Sequence, residues 1–413
     1  MAFGIALSGI DAAQSDLNVT ANNIANSATT GFKSSASQFA ELFAVSPQGT
    51  SNTQTGNGVK IQQVAQKFTQ GNITSTGNNL DLAISGGGFF VVSSAGALQY
   101  TRAGSFQTDG NGYVVNAAGQ RLQVFTPTQN GGFNTTSLSD LQLVTGDSAP
   151  QASTTAQLVY NLPSNATPPA TTFSPTDSTS FNQSTSLTVY DSLGAAHTAS
   201  MYFVNTGFNT WDAYEYVDAQ QVNTTPVQLT YNSSGLLSAV TDTAGGTDTA
   251  AIDFGTYTPT TTGAAPMNVS FDLSKTTQYG DTFGVTSITQ DGFTTGKLAG
   301  ISVDSSGVVQ ANYTNGRANS LGQVALANFA DEQGLQQVGN TNWVQTYASG
   351  AALYGPAGAS GFGLLQSGSL EDSNVDITAQ LVNMITAQRA FQANAQMIST
   401  ENQITQTIIN IRP

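Results

Sequence analysis

Apolar side chains recur every seven residues at the start of the chain: Phe3, Ile10, Leu17 and Ile24 at one position, with Leu7, Ala21 and Ala28 interleaved and Gln14 the polar exception. This is the seam of an amphipathic helix that packs on a partner helix. Asn, Ser and Thr fill much of the remaining surface, and Asp11 and Asp16 are its only charges, so such a helix is poorly stable alone. The spacing returns at the far end. From Ile377 the apolar positions run through Leu381, Met384, Phe391, Ala395 and Ile398, then shift near Asn402 to Ile404, Ile408 and Ile411. This predicts one helix over 373–410, about 57 Å long. Ser373 and Asn374 ahead of Asp376 suit its N-cap and first turn, and Arg412 with Pro413 closes it. Helices at opposite ends predict a terminal coiled coil; the alternative is two amphipathic helices of one globular core.

Everything between alternates with period two and is broken by Gly-rich turns, which predicts strands over 80–84, 89–92, 113–115 and 122–125. Between about 146 and 287 the texture shifts to Thr/Ser/Pro-rich loops around strands at 187–190, 199–204, 213–217 and 269–273. An echo links the segment from Thr108 to Asn116 with that from Asp304 to Tyr313: each is an Asp/Gly turn feeding an alternating strand. Because the echo lies on both sides of the insert, the chain leaves one β domain, builds another and returns. The expected fold is multidomain and mainly β, with discontinuous nested domains. These are a helical domain (1–30 and 370–413), a connecting hinge (31–70 and 335–369), a β-rich domain (71–145 and 288–334) and an inserted outer all-β domain (146–287). Phe32 and Phe39 are candidate anchors of the connecting segment, and Gly31 is the expected end of the first helix.

At 413 residues the chain is long enough for roughly three domains. Ten Lys+Arg against 25 Asp+Glu give a net charge of −15, which argues against nucleic acid as a partner. Charged residues are only 8% of the chain, so its polar surface consists of amides, hydroxyls and 42 Gly. Without Cys there are no disulfides, thiolate metal sites or Cys nucleophiles, and the single histidine, His197, cannot build a multi-His metal site. No Ser lies in a Gly-x-Ser-x-Gly setting that would recruit His197, which reads as a packed strand residue. Gly86-Gly87-Gly88 lacks the Lys-Ser/Thr of a phosphate loop, and Asp109-Gly110-Asn111 lacks the carboxylates of a calcium loop. No catalytic residue, cofactor or metal ligand is nominated. No stretch is long and apolar enough to insert in a membrane, and Met1 to Ile10 lacks the features of a cleavable signal peptide. Arg102, Arg121 and Lys275, the only cations between Phe68 and Gly296, read as exposed residues satisfying nearby carboxylates.

Two motifs carry a resemblance. Ser8-Gly9-Ile10, then Asn22-Asn23-Ile24-Ala25-Asn26, then Thr29-Thr30-Gly31-Phe32-Lys33 resembles the N-terminal signature of the bacterial flagellar rod and hook proteins. Gly368 to Asp376, containing Leu370, Glu371, Ser373, Asn374 and Val375, resembles their C-terminal signature and continues through Met384 to Asn394. Ala379-Gln380 depart from the family, which often has an acidic residue there. The large insert, with Val189-Tyr190-Asp191-Ser192-Leu193-Gly194 and His197, resembles the hook branch. The resemblance implies a non-enzymatic, extracellular subunit that polymerises with itself into the flexible curved tube joining rod to filament, a universal joint that transmits torque. It implies a hook cap, a distal rod protein, a junction protein to the filament, a length-control protein and the flagellar type III export apparatus as partners. Asn22, Asn23 and Asn26 are then amide ladders between subunits or plain helix-end residues. A distal rod protein and a secreted β-rich adhesin are the competing readings.

Overall fold

The computed structural model describes residues 2–42, 56–128, 131–143, 146–222, 225–242, 245–260 and 262–410. It divides into two compact units: Met1–Thr145 with Gly300–Asn312 and Ala318–Pro413, and Gly146–Ala299 with Tyr313–Arg317. The chain is mainly β with a helix near each end, α1 (Ala2–Ala25) and α2 (Ile377–Asn410), as the heptads imply. Among the described residues no helix is long and apolar enough to cross a membrane.

In the first unit α1 leads through a buried stretch, residues 31–34, into a hairpin of β1 (Ser35–Glu41) and β2 (Val59–Gln66), with a bulge at Gln38/Phe39. The segment read as a hinge therefore contains paired strands. Phe32 is buried there, but Phe39 is 41% exposed, opposite Ile61 on the neighbouring strand. A sheet of twelve strands, counted over the described residues, forms the body of the unit. Its central strands Phe89–Ser94, Arg121–Pro127 and Ala318–Asn328 place alternate side chains on opposite faces, as period two requires. Phe90, Val92, Leu122, Val124 and Leu326 pack with Leu82, Ile84 and Leu365 on one face; Phe89, Val91, Phe125 and Ala327 pack with Tyr100, Phe329 and Trp343 on the other. Trp343 belongs to 335–369, which the sequence suggested was a connector. The structure instead builds Gln336–Gly339, Asn342–Val344 and Leu353–Pro356 into this sheet, because Trp343 reaches a fully buried site against Phe89 and Phe68.

The second unit holds a six-stranded and a five-stranded sheet among its described residues, and side chains from both close one core around Trp211, Phe203, Leu158 and Phe271. Ala196–Gly207 shows why: His197, Ala199, Met201, Phe203 and Asn205 point inward while their neighbours point out. The four strands predicted in this unit are present, each longer by a few residues except Ser270–Asp272.

Among the described residues one turn recurs five times, starting at Asp109, Asn116, Asp191, Asn232 and Asp304. In each, the first residue's Oδ1 accepts the backbone N–H groups two and four residues on, at 2.8 to 3.1 Å. The fourth position is a glycine with φ of 75° to 84°, which any Cβ would strain. The echo in the sequence is two copies of this turn. The Asp109 Oδ1 accepts the backbone N–H groups of Asn111 and Tyr113.

Candidate assembly interface at the paired termini

The two helices run antiparallel. Gly9 faces the side chain of Asn394 so closely that a Cβ would clash with it, and the Asn23 amide reaches the Gln380 Oε1 at 3.3 Å. Each helix advances fourteen residues between these two contacts, so the register holds over roughly 21 Å. On α2 the half-buried or buried positions are 380, 384, 387, 391, 394, 398 and 401, alternating steps of four and three. Met384, Phe391 and Ile398 of the expected seam are among them; Ile377, Leu381, Ile404 and Ile408 are exposed, and Ile411 lies outside the described residues.

On α1 the seam is displaced. Its buried positions are Ala6, Ala12, Ala13, Thr20 and Asn23, wedged between α2 and the β1–β2 hairpin. Relative to Leu7, Ile10 and Ile24 this stripe is shifted by one residue, about 100° around the helix. Small side chains explain the choice, since Ala6, Gly9 and Ala13 let the helix axes come close. Phe3 and Leu7 are left 46% and 45% exposed, and Ile10, Leu17 and Ile24 sit half-buried at the rim.

The three asparagines divide their work. Asn26 closes α1 by donating to the Asn22 carbonyl at 3.0 Å and the Asn22 Oδ1 at 2.7 Å, and accepts from Thr29. The helix thus ends at Ala25, before Gly31. Asn23 is 1% exposed and holds both backbone groups of Ser35, its Oδ1 accepting at 2.9 Å and its Nδ2 donating at 2.8 Å. It is a clamp within the chain, a role that neither the ladder nor the helix-end reading anticipated.

The segment after α1 is sewn to the segment before α2. The Gly31 N–H donates to the Glu371 carbonyl at 2.8 Å, and Gly31 (φ 68°) abuts the Arg102–Ala103 backbone with no space for a Cβ. Leu370 pairs in register with Thr74. Lys33 Nζ donates to Glu371 Oε1 at 2.6 Å and to the Thr69 carbonyl at 2.9 Å; Arg102 Nη1 lies 3.3 Å from Glu371 Oε2. Glu371 also accepts the Gly71 N–H at 2.9 Å. Burial pulls the pKa values of Lys33 and Arg102 down, against the pull of Glu371. Arg102 was expected at the surface; it is buried because its partner lies 269 residues along the chain, outside any local reading. Arg121 does pair with a nearby carboxylate, Asp140, at 2.8 Å.

Asn374 is a second seam. Its Oδ1 accepts the Ser34 N–H at 2.7 Å, and its Nδ2 donates to the Lys67 carbonyl at 2.7 Å and to the Thr69 carbonyl and hydroxyl at 3.0 Å. The N-cap of α2 is therefore Asp376, whose Oδ1 accepts from Thr378 and Ala379 at 2.8 and 3.1 Å. Ser373 Oγ accepts from the Val375 N–H at 3.4 Å, and Thr30 is half-buried beside this junction.

Comparison with known proteins places these features. Family models match in four stretches: flagella basal body rod protein over residues 3–33, flagellar hook protein FlgE/F/G D1 domain over 83–167, flagellar basal body protein FlaE D2 domain over 161–293, and flagellar basal body rod FlgEFG protein C-terminal over 366–411. The flagellar hook protein FlgE of Escherichia coli (strain K12) is 40% identical over the whole of both chains. That of Rhizobium meliloti (strain 1021) is 34% identical over 98% of this chain and 97% of its own. The crystal structure of Helicobacter pylori flagellar hook protein FlgE2 shares the fold at a TM-score of 0.53 and 15% identity, covering 72% of this chain and 100% of that one.

Proposed function

The chain belongs to the flagellar hook protein FlgE family and is a structural subunit of the bacterial flagellar hook, and from that premise we propose that its two terminal helices are the polymerising element. The hook is extracellular, and self-assembly into the hook polymer is the family's role. The observation that carries the proposal is the apolar surface left uncovered on both helices. After α1 and α2 have packed on each other, Phe3 and Leu7, Ile377 and Leu381, and Ile404 and Ile408 remain 45% to 63% exposed, each pair about one helical turn apart. Copies of the chain supply its cover.

The remainder of the role follows as a material argument. The tube bends as a universal joint while transmitting torque, so contacts between subunits must exchange; a surface of amides and hydroxyls with 8% charged residues offers weak contacts that trade places easily. The nested domains serve as the expected layers: helical ends that join copies, connecting strands, and two β bodies. Family membership supports delivery by the flagellar type III apparatus and contacts with the hook cap, the distal rod protein, the junction protein and the length-control protein. Catalysis has no place in this reading.

The test is an Ile404→Asp, Ile408→Asp double variant of the full chain, expressed in a strain lacking its own hook subunit. Hooks should be absent by electron microscopy while the purified variant keeps its melting temperature. Normal hooks, or loss of the fold together with the hooks, would remove the support for this surface.

A further inference from the structure

Lys33, Arg102 and Glu371 meet in one buried cluster although 338 residues separate the first from the last. The side chains are 0% (Lys33), 4% (Arg102) and 0% (Glu371) exposed. Glu371 is the carboxylate that touches both cations. Glu332 acts on them electrostatically but forms no ion pair with either, and burial pushes its own carboxyl up. Without Glu371, Lys33 would retain a backbone carbonyl and Arg102 the face of Phe89 at 5.3 Å. Two buried cations on neutral partners are strongly unfavourable.

The same C-terminal stretch supplies the backbone partners of residues 31–34: the Glu371 carbonyl for Gly31, the Asn374 Oδ1 for Ser34, and the Asn374 N–H for the Phe32 carbonyl at 3.4 Å. We propose that this cluster is a completion latch, which holds residues 31–35 undocked until the strand Ser369–Glu371 arrives. A chain built from its N-terminus has Lys33 and Arg102 in hand long before their counter-charge. Until then the cations stay in water and the stretch between α1 and the hairpin stays loose. Six residues after Glu371 begins α2, the partner of α1, so docking of that stretch and pairing of the helices become possible together. The latch thus withholds the assembly-competent end from any incomplete chain. Only that purpose rests on the assembly reading; the latch itself is a statement about folding order.

The test uses amide hydrogen exchange on the full chain. In pulse-labelled refolding, the amides of Gly31, Ser34 and Ser35 should gain protection no earlier than that of Ser369, and earlier protection overturns the latch. At equilibrium Glu371→Gln should lower protection at 31–35 by at least about 100-fold, while the sheet amides of Val91, Val124 and Leu326 change less than about threefold. Adding Lys33→Met and Arg102→Met to that variant removes the stranded cations and should restore most of the protection. A triple variant no better protected than Glu371→Gln, or a single variant indistinguishable from wild type, overturns the proposal. Should Glu371→Gln fail to fold, the triple variant still decides: folding supports the latch, and failure refutes it.

Discussion

Replacing Asn374 by Asp changes one atom at the junction between the chain ends and leaves the volume untouched. The acceptor role survives, since an Asp oxygen can still take the Ser34 N–H at 2.7 Å. The donor role does not: the Nδ2 that serves the carbonyls of Lys67 and Thr69, at 2.7 and 3.0 Å, becomes an oxygen facing two oxygens. Each lost hydrogen bond in this half-exposed setting is worth about 1 kcal/mol, and the repulsion adds a comparable amount, so the cost at pH 7 is about 2–4 kcal/mol. Asn374→Ala loses the same bonds without the repulsion and should cost less, about 1–3 kcal/mol. The order Asp worse than Ala is the signature of donor chemistry, because a pure packing effect would reverse it. Acid supplies a second check. A carboxyl in a seat that asks for a donor holds its proton above the unfolded value of about 3.9. The penalty therefore grows as pH rises through the unfolded and then the folded pKa, and as pH falls it shrinks between those two values and is smallest below about 4. Urea unfolding in a Trp211→Phe background leaves Trp343, buried in the same unit as Asn374, as the reporter. Equal costs for Asp and Ala at pH 7, or no recovery of the Asp variant at pH 4, would refute the reasoning.

Two further outcomes are expected. His197 lies between Asp218 at 2.6 Å and Asp191 at 3.2 Å; burial pushes its pKa down, but the hydrogen bonds and charges of the two aspartates outweigh it and raise it. That stabilisation is complete below the unfolded value of about 6.5 and is lost as pH rises through the folded one. His197→Gln should then flatten the fall in melting temperature followed by Trp211 fluorescence from pH 6 to 9, leaving the slope due to Glu215, which burial beside Asp253 pushes up to about 8; parallel curves would count against the clamp. Asp304→Ala should lose the 2.9 Å bonds to Ser306 and Val308 and destabilise the first unit by about 1–2 kcal/mol in urea, whereas Asp304→Asn, which stands at the equivalent place in the turns of Asn116 and Asn232, should cost under about 0.5 kcal/mol.

What could be read in advance follows from how far each cause reaches along the chain. Heptads located both helices and their pairing, and period two located the strands, because those signals are local. The echo between Asp109 and Asp304 was legible because the turn needs just an Asp or Asn and a Gly three residues on; Asn116, Asp191 and Asn232 carry the same pair of residues. The face of α1 was misassigned because apolar residues mark what a helix can bury anywhere, while Ala6, Gly9 and Ala13 mark where another helix can come close. Arg102 and Asn374 were beyond reach for a different reason. Their partners are fixed by tertiary contacts across hundreds of residues, and a single sequence holds no trace of such pairs.

The unequal lengths of the two helices bear on mechanics. With Gly9 opposite Asn394, the first residue of α1 falls near residue 401, so residues 402–410 of α2 run on by about 14 Å, exposed on every side. An end of that form suits a lap joint. Were helix pairs to meet along their axes, the projecting turns would overlap and a pull would be carried as shear across many side chains, so that a tube spliced this way could stretch on one flank and shorten on the other without any gap opening between its parts.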